Sequence, residues 1–238
     1  MAALFFILMI YLCVVVHEFG HFLAAKHFGI KVPSFNLGFG KTLLQKEKNG
    51  TLYRFNLLPL GGYCLIDDQS FNKAKTKEKM FVMFAGPLMN IILAAISFLL
   101  IAVLSGNTDI VLIGQTFINS ISTTFESFAY YFKTFFTSQS NLKNNVDFID
   151  AVINGEGGLT LFINILSIGY LVNLSLAIFN LLPIPALDGG QILFSVPELF
   201  HRSIPKSIST AINGVCFTAL MGFMLITIFR DLFVGWIL

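Results

Sequence analysis

The sequence predicts an all-α, polytopic membrane protein: four transmembrane helices, a small re-entrant β-hairpin on the cytoplasmic side, and an amphipathic helix on the outer surface. Three observations predict it. Of the 238 residues, 55% are hydrophobic and only 12% charged, with a mean hydropathy of +0.79; ordinary soluble domains carry about 25% charged residues. Four stretches, 3–28, 80–104, 159–182 and 208–229, are long and apolar enough to cross a bilayer, which takes about 20 residues. Lysine and arginine alternate between the connections as a fixed topology requires.

The first span is apolar from Ala2 to Val16, yet no Lys or Arg precedes Lys26 and no small-residue cleavage site follows. It therefore reads as a span rather than a secretory signal. It also carries His17, Glu18 and His21, whereas the other three spans contain no Asp, Glu, Lys, Arg or His. An ionisable group at the bilayer centre costs roughly 2.5–3.5 kcal/mol on insertion scales, so an idle one is disfavoured.

The connection after the first span holds nine basic residues from Lys31 to Lys79. Within it, Asn49-Gly50 separates two strand-like runs, the signal for a type I′ hairpin. The apolar, turn-rich Asn56 to Ile66 follows. Residues 41–65 thus read as a β-hairpin dipping into the membrane; a cytosolic hairpin is the alternative. Irregular backbone at membrane depth is tolerated only where buried in protein or lining a cavity.

After the second span come only Lys133 and Lys143, against Asp109, Glu126, Asp147, Asp150 and Glu156. Arg202 and Lys206 follow the third. This bias puts both termini outside and the first connection in the cytoplasm. In 113–136, Phe117, Ile121, Phe125, Phe128, Phe132 and Phe135 recur at helical spacing, with polar residues between them. That stripe predicts a helix lying on the outer membrane surface rather than a fifth span.

The chain therefore reads as one domain, 1–238. No basic stripe interleaved with aromatics indicates nucleic acid. Cys13, Cys64 and Cys216 are scattered and form neither a CxxC pair nor an even-numbered framework.

"HEFGH" is an HExxH motif. On a helix, His17 and His21 share a face and can reach one ion, while Glu18 beside them can reach a metal-bound water. His17 lies sixteen positions after Met1, about 24 Å of helix, which places the motif in the cytoplasmic half of the bilayer. Catalytic zinc (Zn2+) takes three protein ligands and a water. Cys13 stands about 12 Å of helix rise from His21, too far to share the ion. His27 is off the face and His201 lies in a loop. Asp188 remains, in "NLLPIPALDGG", where Pro183 and Pro185 break the third span on the same side of the membrane. Its alternative is a helix N-cap.

HEFGH on the first span, "FAGPLMN" (Phe84 to Asn90) in the second, and "NLLPIPALDGG" ending the third together resemble the site-2 protease family of intramembrane zinc metalloproteases, closest to the bacterial regulator of sigma-E protease type. "PLGGYC" and the C-terminal "LMGFMLITIFRDL" fit the same pattern. The resemblance implies His17, His21 and Asp188 as zinc ligands and Glu18 as the catalytic glutamate. It implies a role near the oxyanion for Asn180, with an interhelical hydrogen bond as the alternative, and a substrate-holding β-loop around Gly61 and Gly62. It further implies hydrolysis of transmembrane protein substrates, such as anti-sigma factors or signal-peptide remnants, in a bacterial inner membrane, with the site open to the cytoplasm. A zinc transporter or a non-catalytic zinc-binding protein is the alternative; no internal repeat supports the first, and Glu18 argues against the second. Many bacterial relatives insert a PDZ domain after the second span. Here only about 50 residues are available, from Gly106 to Gly158, short of the roughly 80–100 such a domain needs. The chain is expected to lack it, by nature or by removal.

Overall fold

A computed structural model describes residues 2–106, 109–135, 158–202 and 204–237. Its elements are α1 (Ala2–His27), β1 (Ser34–Lys48), β2 (Thr51–Leu65), α2 (Asp68–Lys73), α3 (Thr76–Leu104), α4 (Ile110–Phe135), α5 (Gly158–Leu181), α6 (Asp188–Ser195), a 3-10 turn (Val196–Phe200) and α7 (Lys206–Ile237). Among the described residues four helices, α1, α3, α5 and α7, are long and apolar enough to cross a membrane. They match the four expected spans to within a few residues at most ends; α7 runs on to Ile237.

Local contacts close α1 and open α2. Gly29 adopts φ 69° after α1, and the amides of Gly29 and Ile30 return to the carbonyls of Lys26 and Ala25. This closes the last turn with the left-handed residue that glycine tolerates. Asp67 caps α2 by accepting the Ser70 amide at 2.8 Å. That bond, more than the lysines nearby, holds the Asp67 carboxyl below its ordinary range.

The turn between β1 and β2 has Asn49 at φ 53° and Gly50 at φ 69°, the two positive angles of a type I′ turn. The sheet, however, begins at Ser34, earlier than the expected 41. Ser34 to Leu37 partner Leu52 to Phe55 on one side and Leu65 to Gly62 on the other. They therefore form the middle of the sheet, and Ser34, Phe35 and Asn36 are buried. Gly38 and Gly40 follow with φ 82° and 83°. They bend one long strand, Ser34–Lys48.

The sheet is seated on α1. Phe22 packs against Phe35 and Tyr53, with ring centroids 5.3 and 5.9 Å apart, and Ala25, Ile30, Val32 and Val82 complete this core. A second cluster joins the helices: Phe98, Phe117 and Tyr170 meet at 5.4–6.2 Å, and Tyr170 donates to the Ser120 hydroxyl. The apolar stripe of α4 is therefore divided. Ile113 and Phe117 face α3 and α5, while Ile121 and Phe125 are exposed.

Helix α5 ends at Leu181, and the chain turns through Leu182–Leu187 before α6 starts at Asp188. Ala186 takes φ 78°, and its amide donates to Asn213 Oδ1 of α7 at 3.1 Å. A Cβ at Gly189 or Gly190 would meet the carbonyls of Leu182 or Ile184 at under 3.0 Å, so the turn closes only with glycine there. Beyond it, buried Lys79 of α3 pairs with Glu198 at 2.9 Å. Sequence reading had given neither α6 nor this tie.

Two glycines separate backbone strain from crowding. Gly50→Ala meets open space at φ 69° and should cost about 1–2 kcal/mol, the left-handed penalty. Gly38→Ala carries the same penalty and also brings a Cβ to 2.6 Å from the Leu58 carbonyl oxygen. Thermal unfolding in detergent should show the larger loss for Gly38→Ala; equal losses would contradict this packing.

Candidate metal centre

The site forms where α1 and α3 cross closely. A Cβ at Gly20 would collide with the Ala85 carbonyl of α3, and one at Gly86 with the ring nitrogens of His17 and His21. Glycine on each helix leaves room for two imidazoles between them. His17 and His21 are both buried, 7% and 6% exposed.

Their Nε2 atoms stand 3.2 Å apart. Asp188 Oδ2 lies 3.0 Å from His17 Nε2, and Oδ1 lies 3.4 Å from His21 Nε2. Three donor groups, from α1 and from the far end of the chain, thus converge on one point. Asp188 Oδ2 is buried and accepts no well-aligned hydrogen bond. Burial alone would push the Asp188 carboxyl up; the two histidines outweigh it and bring it down to about 2.

This arrangement fits zinc. Ligands about 2.0–2.1 Å from a tetrahedral zinc stand about 3.3 Å from one another, the spacing seen among these atoms. The chemistry also fits: two imidazoles and one carboxylate, with no fourth His, Cys, Asp or Glu donor in the group among the described residues. His21 Nδ1 lies 2.7 Å from the Val82 carbonyl. A neutral ring donating there keeps its lone pair on Nε2.

Glu18 is partly buried beside this triad and within electrostatic reach of all three groups. Its Oε2 accepts the backbone N–H of Cys64 at 2.9 Å. Cys64 belongs to the outer segment of the sheet, so a sheet edge abuts the glutamate. Burial first, and the Glu18 charge second, push the Cys64 thiol up to about 12.

The other expected residues have different surroundings. Asn180 donates to the Leu176 carbonyl of its own helix at 2.9 Å. Gly61, at φ 130°, lies against Val14 of α1 and Phe39, and Gly62 lies under the Asn36 carbonyl. His27 and His201 are exposed, and His201 closes the 3-10 turn in a left-handed conformation. Cys13 is buried and accepts the Asn173 amide at 3.1 Å. Sequence reading missed Val82 as the anchor of His21 and Gly86 as the gap between the helices. The signal was present: residues 82, 86 and 90 share one face of α3 at four-residue spacing.

The sequence model of Peptidase family M50 matches residues 5–223. Cj1068 of Campylobacter jejuni, a protein with a zinc metalloprotease name, is 27% identical over 337 residues, covering 95% of this chain and 92% of its own. The regulator of sigma-E protease RseP of Escherichia coli is 32% identical over 130 residues, or 49% of this chain and 29% of its own. The regulator of sigma E protease of Haemophilus influenzae is 39% identical over 106 residues, covering 39% and 24%. The chain thus aligns with nearly all of Cj1068 but with less than a third of either sigma-E regulator.

His17→Ala, His21→Ala and Asp188→Ala should each sharply reduce the metal content of purified protein. Gly86→Ala should do so without removing a donor, because its Cβ would occupy the space between the rings. Near-stoichiometric zinc in Asp188→Ala would remove it from the ligand set. Cys64 should alkylate far more slowly at pH 8 than an ordinary thiol of pKa about 8.5. Its rate should keep rising well above pH 10, and a plateau near pH 9 would contradict the burial described.

Proposed function

The chain belongs to peptidase family M50 and is a zinc metalloprotease; on that premise we propose that it cleaves peptide bonds within or near the transmembrane segments of single-span membrane proteins. The observation that carries this reading is the convergence of His17, His21 and Asp188 within 3.0–3.4 Å beside Glu18, on helices able to span a bilayer.

Zinc, when bound, supplies a Lewis acid and a water acidified to a pKa of about 7. His17, His21 and Asp188 hold it. Glu18 takes the proton of the attacking water and delivers it to the leaving amine. Asn180, Gly61 and Gly62 are assigned to the substrate side: Asn180 to the oxyanion, the two glycines to the loop that meets the substrate.

A transmembrane substrate hides its carbonyls in helical hydrogen bonds, so it must unwind before attack. The freed backbone then needs partners. The sheet edge at Gly62 to Leu65 provides them by strand addition, next to Glu18, which already accepts the Cys64 amide. The sheet also exposes Leu44, Leu57, Leu60 and Leu65, an apolar rim suited to lipid or to an apolar substrate.

The Lys-rich first connection faces the cytoplasm in this reading, the termini lie outside, and the site opens toward the cytoplasm. The exposed part of α4 rests on the outer membrane surface. Anti-sigma factors and signal-peptide remnants are suitable substrates, and the connection after α3 is shorter than the roughly 80–100 residues a PDZ domain takes.

Glu18→Gln keeps the size of the side chain and loses the base. It should retain zinc and lose single-turnover cleavage of a transmembrane peptide by about two to four orders of magnitude. Equal rates at equal zinc occupancy would sink the mechanism. In a variant freed of native cysteines, outside reagent should label Gly106→Cys, while Lys46→Cys should react only from the cytoplasm; the opposite pattern would invert the topology.

A further inference from the structure

Asn90 of α3 is fully buried, yet its function is not accounted for by the ligand set. Its exposure is 0%, and its Oδ1 has no hydrogen-bond partner among the described residues. Its Nδ2 stands 3.4 Å from His17 Nδ1. Leaving a buried amide oxygen unpartnered is destabilising, so an idle asparagine here is disfavoured. It sits one helical turn beyond Gly86, whose missing side chain makes room for the two imidazoles.

The two histidines are held by α3 in parallel fashion. α1 and α3 run antiparallel, so Val82 faces His21 and Asn90 faces His17. His21 has its Nδ1 at 2.7 Å from a carbonyl that can only accept. His17 faces an amide that can do either. With Nδ2 toward the ring, Asn90 donates to Nδ1, and the neutral ring then carries its proton on Nε2, the atom that stands 3.0 Å from Asp188 Oδ2 and 3.2 Å from His21 Nε2. A half-turn of the amide exchanges oxygen and nitrogen. Oδ1 then accepts from Nδ1–H, and Nε2 presents a lone pair to the point shared with His21 Nε2.

We propose that Asn90 is the positioning residue of His17, its amide oxygen accepting the Nδ1–H so that Nε2 is free to bind the metal. The proposal rests on the metal centre described above and adds the group that fixes one ligand. Asparagine suits the position because one side chain serves His17 in both states: it donates to the ring when no ion is bound and accepts from it when one is. Outer partners of ligating histidines typically contribute 10–100-fold in metal affinity.

The test measures zinc affinity by chelator competition in full-length parent, Asn90→Leu, Asn90→Asp and His17→Ala. Asn90→Leu keeps the bulk and removes the acceptor; it should bind about 10–100-fold more weakly. Asn90→Asp restores an acceptor and should return affinity close to that of the parent. Should Asn90→Leu not fold, Asn90→Ala is read in its place. A second readout is independent of catalysis: in zinc-loaded protein the His17 Nδ1–H proton should be visible and slow to exchange by NMR in parent and Asn90→Asp, and lost in Asn90→Leu. Parent-like affinity in Asn90→Leu, with His17→Ala still defective, overturns the role of Asn90 and leaves the metal centre intact. Weak binding in Asn90→Asp equal to that of Asn90→Leu also overturns it, because the acceptor would then not matter. If parent and His17→Ala bind zinc equally, the metal centre itself fails, and with it the inference.

Discussion

The close approach of α1 and α3 is the constraint on which the rest of this structure depends. Gly20 and Gly86 let the two backbones come so near that a Cβ at either position would collide with the opposite helix or its imidazoles. Two rings are thereby buried where water is scarce and where an unsatisfied polar atom is costly. The same proximity supplies the remedy, because α3 offers the Val82 carbonyl to His21 and the Asn90 amide to His17. Their Nε2 atoms stand 3.0 and 3.4 Å from the Asp188 carboxylate.

Bringing Asp188 there requires breaking a helix on purpose. Pro183 and Pro185 end α5, and Gly189 and Gly190 allow the returning chain to lie against the carbonyls it has just left. The turn is tied down on both sides: Asn213 of α7 accepts the Ala186 amide, and Lys79 of α3 holds Glu198. A nearly buried lysine is expensive unless paired. Its partner is the carboxylate that follows α6, so the charge pair sets where the Asp188 segment rests on α3.

The sheet is coupled to the same helix. Phe22 seats it through Phe35 and Tyr53, and one turn of α1 earlier, Glu18 accepts the Cys64 amide. One face of α1 therefore carries His17 and His21 while an adjacent one carries the sheet. Glu18 lies between them, in contact with the strand edge and within reach of the histidines.

The sequence alone determined whatever is written in short-range pattern. Apolar length specified four helices able to span, Asn49-Gly50 specified a turn with two positive φ angles, and His17, Glu18 and His21 stood out as the candidate site because charge in an apolar run is costly. The two prolines located the break that frees Asp188. Only the tertiary structure decided what depends on how elements rotate against each other. The hairpin reads from the sequence as 41–65, yet the strand begins at Ser34, bends at Gly38 and Gly40, and has its buried centre at Ser34 to Leu37. Phe117 reads as one residue of a uniform stripe, yet it packs on Phe98 and Tyr170 while Phe125 does not. Lys79 reads as one more cytoplasmic lysine, yet it is buried against Glu198, 119 positions away. Periodicity reports which face of a helix is apolar, but not which neighbour that face will meet; for Gly86, Asn90 and Lys79 the neighbour is what gives the residue its role.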